Sequence, residues 1–175
     1  MKPRYAPCAA GLALLTAAAG AETGHVTDPQ IAAIVVTANQ VDIAAGELAR
    51  AKGQSKDVKD FAQRMITDHS GVNKSATELV QKLHVTPESN PTSESLKRGG
   101  DENLAALKKL RGSAFDKAYI EHEVAYHQSV IDALDKTLIP SAQNTELKAL
   151  LVKVHPAFVA HLESAKQIQS SLGKM

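Results

Sequence analysis

Apolar side chains recur at gaps of three and four residues along four long stretches of this chain. Such spacing places them in one stripe along an α-helix, so the pattern predicts four long helices. The stripe of the second stretch is the clearest: Val58, Phe61, Ala62, Met65, Val72, Ala76, Leu79, Val80 and Leu83. Because each stripe must be buried against the others, the sequence predicts an all-α protein.

Capping residues and helix breakers set the approximate bounds of these helices. Asp28-Pro29 is a start signal with Asp28 as the N-cap, Gly53 ends the first helix, and Ser55 begins the second. A third helix begins at Ser113 or Asp116 and ends before Pro140. The predicted helices cover about 28–52, 55–84, 113–138 and 144–172.

The connection between helices two and three is long. Val85–Gly100 is rich in Pro, Ser, Thr and Asn, which predicts a crossover loop, and Asp101–Leu110 predicts a short amphipathic helix after it. Short links at Gly53 and Pro140 predict two antiparallel hairpins. Together these features predict a ferritin-like four-helix bundle with a long crossover that carries a short helix between helices two and three.

The N-terminus has the pattern of a signal peptide. Lys2 and Arg4 precede an apolar run that ends in the small residues Ala19-Gly20-Ala21. We expect cleavage after Ala21, so that residues 1–21 are removed and residues 22–175 form a single domain. The apolar run is shorter than the ~20 residues of a membrane span. The product is expected to be periplasmic or secreted, with no integral membrane segment after cleavage.

The amino-acid composition argues against two classes of function, thiolate chemistry and nucleic-acid binding. Cys8 is the only cysteine and would leave with the signal peptide, so the mature chain has no thiolate chemistry. Loss of Lys2 and Arg4 leaves a net charge of about −1, which provides no basic field for nucleic acid. The candidate partners are a second copy of the chain or another envelope protein.

Each of the four stripes carries one ionisable residue where an aliphatic one is expected. These residues are Asp42, His69, His127 and His161. If helices two and three are parallel, His69 and His127 lie at the same depth to within ~1.5 Å, and Asp42 lies within about one turn of them. His161 fits least well, at ~7 Å from this level. The four side chains are therefore expected to meet near the middle of the bundle.

Three imidazoles and one carboxylate suit a transition metal such as Zn²⁺, Fe²⁺, Mn²⁺ or Cu²⁺. Asp68 and Glu123 are candidate outer acceptors or additional ligands. The alternative is a buried network in which Asp42 and the histidines satisfy one another without a metal. The Glu-x-x-His motif of di-iron sites is absent before His69 and His161. No catalytic residue is assigned, and His122 and His155 are expected to face solvent.

The motifs resemble a bacterial exported family of unknown function, the one numbered four-one-four-two, which is grouped with ferritin-like folds and often labelled as outer-membrane proteins. The resemblance runs from about Ile31 to Ala165 and rests on these segments: Asp42–Ala49, Val58–Ala62, Met65–His69, Phe115–Ile120 with His127, and Pro156 with His161-Leu162. It implies that the acidic position of helix one, usually Glu in the family, falls on Asp42. It likewise implies a role for Asp68-His69, for His127 (after Tyr126, where the family often has Asp) and for His161.

The sequence thus predicts an exported periplasmic helical-bundle protein of unestablished activity, with a metal-binding or buried polar site in mid-bundle. It assigns no enzymatic activity. Two alternatives stay open: a metal-dependent oxidoreductase that uses the same residues, and a non-catalytic envelope-stress or interaction protein whose polar core is only structural.

Overall fold

A computed structural model describes residues 26–174, and every regular element in this part of the chain is helical. The predicted all-α class is therefore confirmed, whereas the predicted signal peptide lies outside the described residues. The α-helices are α1 (Asp28–Lys52), α2 (Lys56–Lys82), α3 (Pro91–Lys109), α4 (Gly112–Ala133), α5 (Ile139–Ser141) and α6 (Thr145–Leu172). A π-helical segment, Leu134–Leu138, joins α4 to α5.

The N-cap of the first helix lies one residue before the predicted one. Thr27, not Asp28, is the N-cap: its side chain accepts from the Gln30 N–H, and the Gln30 side chain accepts from the Thr27 N–H. Asp28 is instead the first helical residue. Its carboxylate accepts from the backbone N–H groups of Gln143 and Asn144 at 2.9 and 2.8 Å, so Asp28 fixes the start of α6.

The expected loop over Val85–Gly100 is wrong, because most of this stretch is helical. Asn90 caps α3 by accepting from two N–H groups of its first turn, and the helix continues for 19 residues through Gly99 and Gly100. A Cβ on Gly100 would lie 2.7 Å from a methyl group of Val41. The glycine pair therefore marks a close approach of α3 to α1 rather than the end of a loop.

Four long helices pack in a closed ring. α1 contacts α2, α2 contacts α6, α6 contacts α4, and α4 returns to α1. The connection between α2 and α4 contains α3, which lies outside this ring and packs against α1 and α4. In α6, Pro156 is accommodated inside a continuous helix.

The buried core divides into two apolar clusters along the ring. One cluster includes Ile34, Ile131 and Leu162, and the other includes Ala49, Phe61 and Ile120. On each of the four long helices a buried polar residue stands in the stretch where one cluster gives way to the other. The fold therefore places a polar layer between two aliphatic halves.

One helix of the described part of the chain, α1, is long and apolar enough to cross a membrane by length and composition. The expectation of no integral membrane segment after signal cleavage stays a prediction, because this finding rests on length and composition alone. Half of the apolar window is buried inside the protein, and α1 contacts three other helices. Burial of this kind is typical of a core helix.

Candidate metal centre

The polar layer brings together the four residues that interrupt the stripes. The His69 Nε2 lies 2.8 Å from the Asp42 Oδ2, and the His127 Nε2 lies 3.5 Å from the same oxygen. The ring centroids of His69, His127 and His161 are 5.3 to 5.6 Å apart. All four side chains are at most 4% exposed. The ligand atoms of the three imidazoles lie within 4.8 Å of one another, and Asp42 forms a second such group with Glu123 and His127, so His127 joins the two groups in one buried layer.

Asn39 fixes the orientation of the His69 ring. Its amide nitrogen donates to the Val35 carbonyl at 2.7 Å, which turns its oxygen toward His69. The His69 Nδ1 lies 2.6 Å from that oxygen, an acceptor, so Nδ1 carries the proton. The His69 Nε2, which faces Asp42, is left with its lone pair.

Acceptors on the outer side hold the other two rings in the same way. The His127 Nδ1 donates to the Glu123 carbonyl at 3.0 Å, which leaves Nε2 with the lone pair. The His161 Nε2 lies 2.8 Å from the Asp68 carboxylate, which leaves Nδ1 with the lone pair. In metal proteins, outer acceptors of this kind set the tautomer and raise the basicity of ligating histidines.

The inward-facing atoms of this cluster have no hydrogen-bond partner within the described residues. They are both carboxylate oxygens of Asp42, the Nε2 atoms of His69 and His127, and the Nδ1 of His161. The short contact between the Asp42 Oδ2 and the His69 Nε2 thus lacks the alignment of a hydrogen bond. Buried polar atoms are almost always paired, so a group of lone pairs turned toward each other is unusual.

The local charges act differently on the pKa values of Asp42, His161 and His127. Burial raises the pKa of Asp42, but His69, with His127 and His161, outweighs this effect and holds it below its ordinary value. Burial lowers the pKa of His161 to about 4 against the opposing effect of Asp68. Burial also acts to lower the pKa of His127, yet Glu123 and Asp42 raise it above the ordinary value. A proton therefore favours His127 when no cation is present.

Glu123 is buried on the outer side of the His127 ring. Its Oε2 is 3.4 Å from the His127 Nδ1. Burial, followed by repulsion from Asp42, raises the pKa of Glu123 to about 8. Burial and the neighbouring Glu123 raise the pKa of Tyr119 well above its ordinary value. The raised pKa of Glu123 favours its protonated form in the metal-free protein.

A comparison with protein-family models now places the chain. The model described as "Domain of unknown function (DUF4142)" matches residues 13–168, which is most of the sequence. The chain belongs to the DUF4142 family. This confirms the resemblance drawn from the motifs.

A comparison with solved structures gives a structural neighbour for this DUF4142 chain. It is similar to "CopM in the Cu(II)-bound form", with a TM-score of 0.64 and 17% sequence identity over 83% of this chain and 97% of that chain. At this identity the likeness concerns the fold. A comparison with the curated proteins finds no match.

The structure places the predicted site residues as follows. Asp42, His69, His127 and His161 come together, and Asp68 and Glu123 lie against the outer nitrogens of His161 and His127. His161, which fitted least well by depth, is as close to the other rings as they are to each other. The π-helical segment and α5 lie between α4 and α6, and a depth estimate based on ideal helices cannot include their geometry.

Three residues depart from the sequence expectations. Asn39 was not predicted to take part, although it lies three residues before Asp42 on the same helix face. His122 and His155 were expected to face solvent, but both are half-buried. His122 stacks on Tyr126, and the His155 Nε2 lies 3.1 Å from Asp135, because both rings lie along the edge of a helix contact.

Proposed function

We propose that this protein is an exported, ferritin-like four-helix-bundle protein that binds one transition-metal ion in its core. Asp42, His69, His127 and His161 are the proposed ligands. The outer partners are Asn39 for His69, Glu123 for His127 and Asp68 for His161. The proposal is one of metal binding, and it assigns no reaction to the site.

A single observation carries the proposal: the unpaired lone pairs of the four inward-facing side chains. Each of the three imidazoles contacts an acceptor through its outer nitrogen, and the pKa of Asp42, which lies against His69 and His127, is held below its ordinary value. If the four groups only satisfied one another, their inner atoms would be paired by hydrogen bonds. A cation removes the repulsion among these lone pairs and restores the missing polar contacts.

The donor set favours copper or zinc. Imidazole nitrogens suit Cu²⁺ and Zn²⁺, and divalent copper binds a given nitrogen and oxygen site most tightly among the first-row metals. The structural neighbour is described in a Cu(II)-bound form, which supports Cu²⁺ as the first ion to test. Mn²⁺ suits oxygen donors, and here a single carboxylate accompanies three nitrogens; Fe²⁺ accepts imidazole ligands but binds such a site more weakly than Cu²⁺.

The fold, the N-terminal sequence and the exposed side chain of Asp68 support the other parts of the proposal. The closed ring of α1, α2, α6 and α4 with a long crossover is the arrangement expected of a ferritin-like bundle. Lys2, Arg4 and the apolar run after them support export. The Asp68 side chain is 43% exposed and contacts His161, so it offers an ion a charged point of entry to the buried site.

Metal content tests the proposal. The mature chain, purified without an affinity tag and stripped with a chelator, is dialysed against Cu²⁺ or Zn²⁺ and analysed by mass spectrometry for bound metal. We expect about one ion per chain, and at least about tenfold weaker binding in Asp42→Asn and in His161→Gln, each of which removes a ligand.

His155→Gln is the matched control, because His155 lies on the same helix as His161 but pairs with Asp135. It should retain the metal. A folded wild-type chain that binds neither metal would contradict the proposal and favour a structural polar core. Equal losses in His155→Gln and His161→Gln would contradict the assigned ligands.

A further inference from the structure

A cavity of about 330 Å³ lies beside the polar layer, where α3 covers α1 and α4. Its walls are mainly aliphatic: Val35, Ala38, Leu96, Val130, Leu134 and Leu151. Asn39, His69 and His127 form part of the wall, so the cavity adjoins the candidate metal centre and shares two of its proposed ligands.

Two backbone features keep this space open. α3 approaches α1 closely at Gly100, where a Cβ would lie 2.7 Å from Val41, whereas a Cβ on the neighbouring Gly99 would meet nothing within 4 Å. On the other side, the π-helical segment contributes Leu134 and Leu138 to the wall. Turns of π-helix are rare and occur frequently at functional sites. The cavity therefore depends on unusual local structure and is more than a packing gap.

The polar groups of the cavity wall are amides, hydroxyls and imidazoles. None of the described residues that line it is Lys, Arg, Asp or Glu. The Tyr126 hydroxyl already donates to the Ala38 carbonyl, and Asn39 is engaged with His69. His122 stacks on Tyr126 and makes no hydrogen bond with the described residues, and burial lowers its pKa. Apart from the proposed metal ligands His69 and His127, the wall thus offers the imidazole of His122 and no carboxylate, ammonium or guanidinium group.

An apolar cavity of this kind is a poor site for water, because a buried water needs two to four polar partners. Atoms that line an empty space also lack dispersion contacts, which a ligand restores. The volume is at the lower end of the ~300–1,000 Å³ of typical ligand pockets. The cavity therefore suits a small molecule with a largely apolar body.

We infer that the cavity binds a small neutral molecule with an aliphatic body and one hydrogen-bonding group, of the class of medium-chain alcohols, with its polar group at His122. This inference goes beyond the proposed function, because the cavity is present without a metal. Charged amphiphiles are excluded from the class, since the wall offers no countercharge.

Calorimetric titration of the metal-free mature chain with 1-octanol tests the inference. We expect saturable binding of 1-octanol, and at least about tenfold weaker binding of octanoate and of octylamine, whose charges would be desolvated without a partner. Ala133→Leu places extra methyl groups into the cavity and should weaken 1-octanol binding by at least about tenfold. His122→Phe keeps the ring but removes the hydrogen bond, and should weaken it about three- to tenfold.

Ala125→Leu is the matched control, because Ala125 is exposed on the same helix, and it should bind 1-octanol like the wild type. If Ala133→Leu loses its helical circular dichroism, Ala38→Leu fills the cavity from α1 instead and should show the same loss. Absence of saturable 1-octanol binding, equal binding by the filled variants and Ala125→Leu, or octanoate bound as tightly as 1-octanol would each overturn the inference. Because the titration uses the metal-free chain, its outcome does not depend on whether the chain binds Cu²⁺ or Zn²⁺ in the separate metal-content test.

Discussion

Asn39 is the residue on which the orientation of His69 depends. Its amide is anchored to the Val35 carbonyl and accepts the outer proton of His69 at 2.6 Å. Asn39→Ala removes that acceptor, so the ring can rotate or take the other tautomer. We expect a metal affinity about 10- to 100-fold weaker, as for other outer partners of ligating histidines.

Competition with a chromophoric chelator measures this affinity. Gln40→Ala is the control, because Gln40 is the next residue of α1 and is exposed. If Asn39→Ala and Gln40→Ala bind metal as tightly as the wild type, Asn39 has no role in orienting a ligand.

Glu123 makes the stability of the metal-free protein depend on pH. Its pKa is raised from 4.5 to about 8 by burial and by Asp42, so the folded chain keeps a proton that the unfolded chain has released. Between these two values the folded state binds more protons, and the free energy of unfolding falls as pH rises. Glu123→Gln cannot ionise and should lose much of this decline.

Urea unfolding of metal-free wild type and Glu123→Gln at pH 5, 6, 7 and 8 measures the effect. The stability of the variant relative to the wild type should rise steadily across this range. A difference that is constant with pH would show that Glu123 is ionised in the folded protein.

At the scale of the residue, the sequence identifies the four polar positions because each interrupts an aliphatic stripe. Asp42 and the histidines stand out for this reason. Asn39 is harder to recognise, because an uncharged amide in an alanine-rich helix is compatible with either a buried or an exposed position. Which nitrogen of each ring carries the proton depends on contacts between helices, which no local pattern contains.

At the scale of the element, two helices of the ring, α1 and α4, each have an aspartate near their start. Each aspartate holds the N-terminal end of another helix. Asp28 of α1 accepts from the two N–H groups before α6, and Asp116 of α4 accepts from those of Gln54 and Ser55 before α2. Eleven residues further along the two helices stand Asn39 and His127. Each of these donates to the carbonyl four residues earlier. The two halves of the ring thus share the same pattern, an aspartate near the start of a helix and a polar residue of the buried layer eleven residues later.

Asp116→Ala tests the contribution of this aspartate. The Asp116 carboxylate is buried and accepts two hydrogen bonds, at 2.9 and 2.7 Å, from the N-terminal end of α2. We expect a loss of ~1.5–3 kcal/mol in the free energy of unfolding, the usual range for a hydrogen bond to a charged group. Asp60→Ala, which removes an exposed carboxylate of α2, should change it by less than ~0.5 kcal/mol. Equal effects of the two variants in urea unfolding would contradict the role of Asp116.

The sequence locates most helices within a few residues, because stripes and caps are local signals. α3 was predicted too short since Gly99-Gly100 is typical of a loop, and only its contact with Val41 explains a glycine in mid-helix. The π-helical segment has no recognised signal in the sequence apart from Pro140 after it.

At the scale of the whole molecule, the stripes and link lengths predict the all-α class and the meeting of four side chains at one level. The cavity beside them could not be predicted. It arises from the way α3 covers α1, with close contact at Gly100 and open space at Gly99. Such a space is a property of packing between elements and leaves no periodic pattern along the chain.

The central claim is that the buried polar layer is a metal site. A crystal of the Cu²⁺-loaded mature chain, with diffraction recorded on both sides of the copper absorption edge, tests it most directly. We predict one strong anomalous peak in the core, within about 2.0–2.2 Å of an Asp42 oxygen, the Nε2 atoms of His69 and His127, and the Nδ1 of His161. A loaded crystal whose anomalous peaks lie only at surface histidines, with none between these four side chains, would contradict the account.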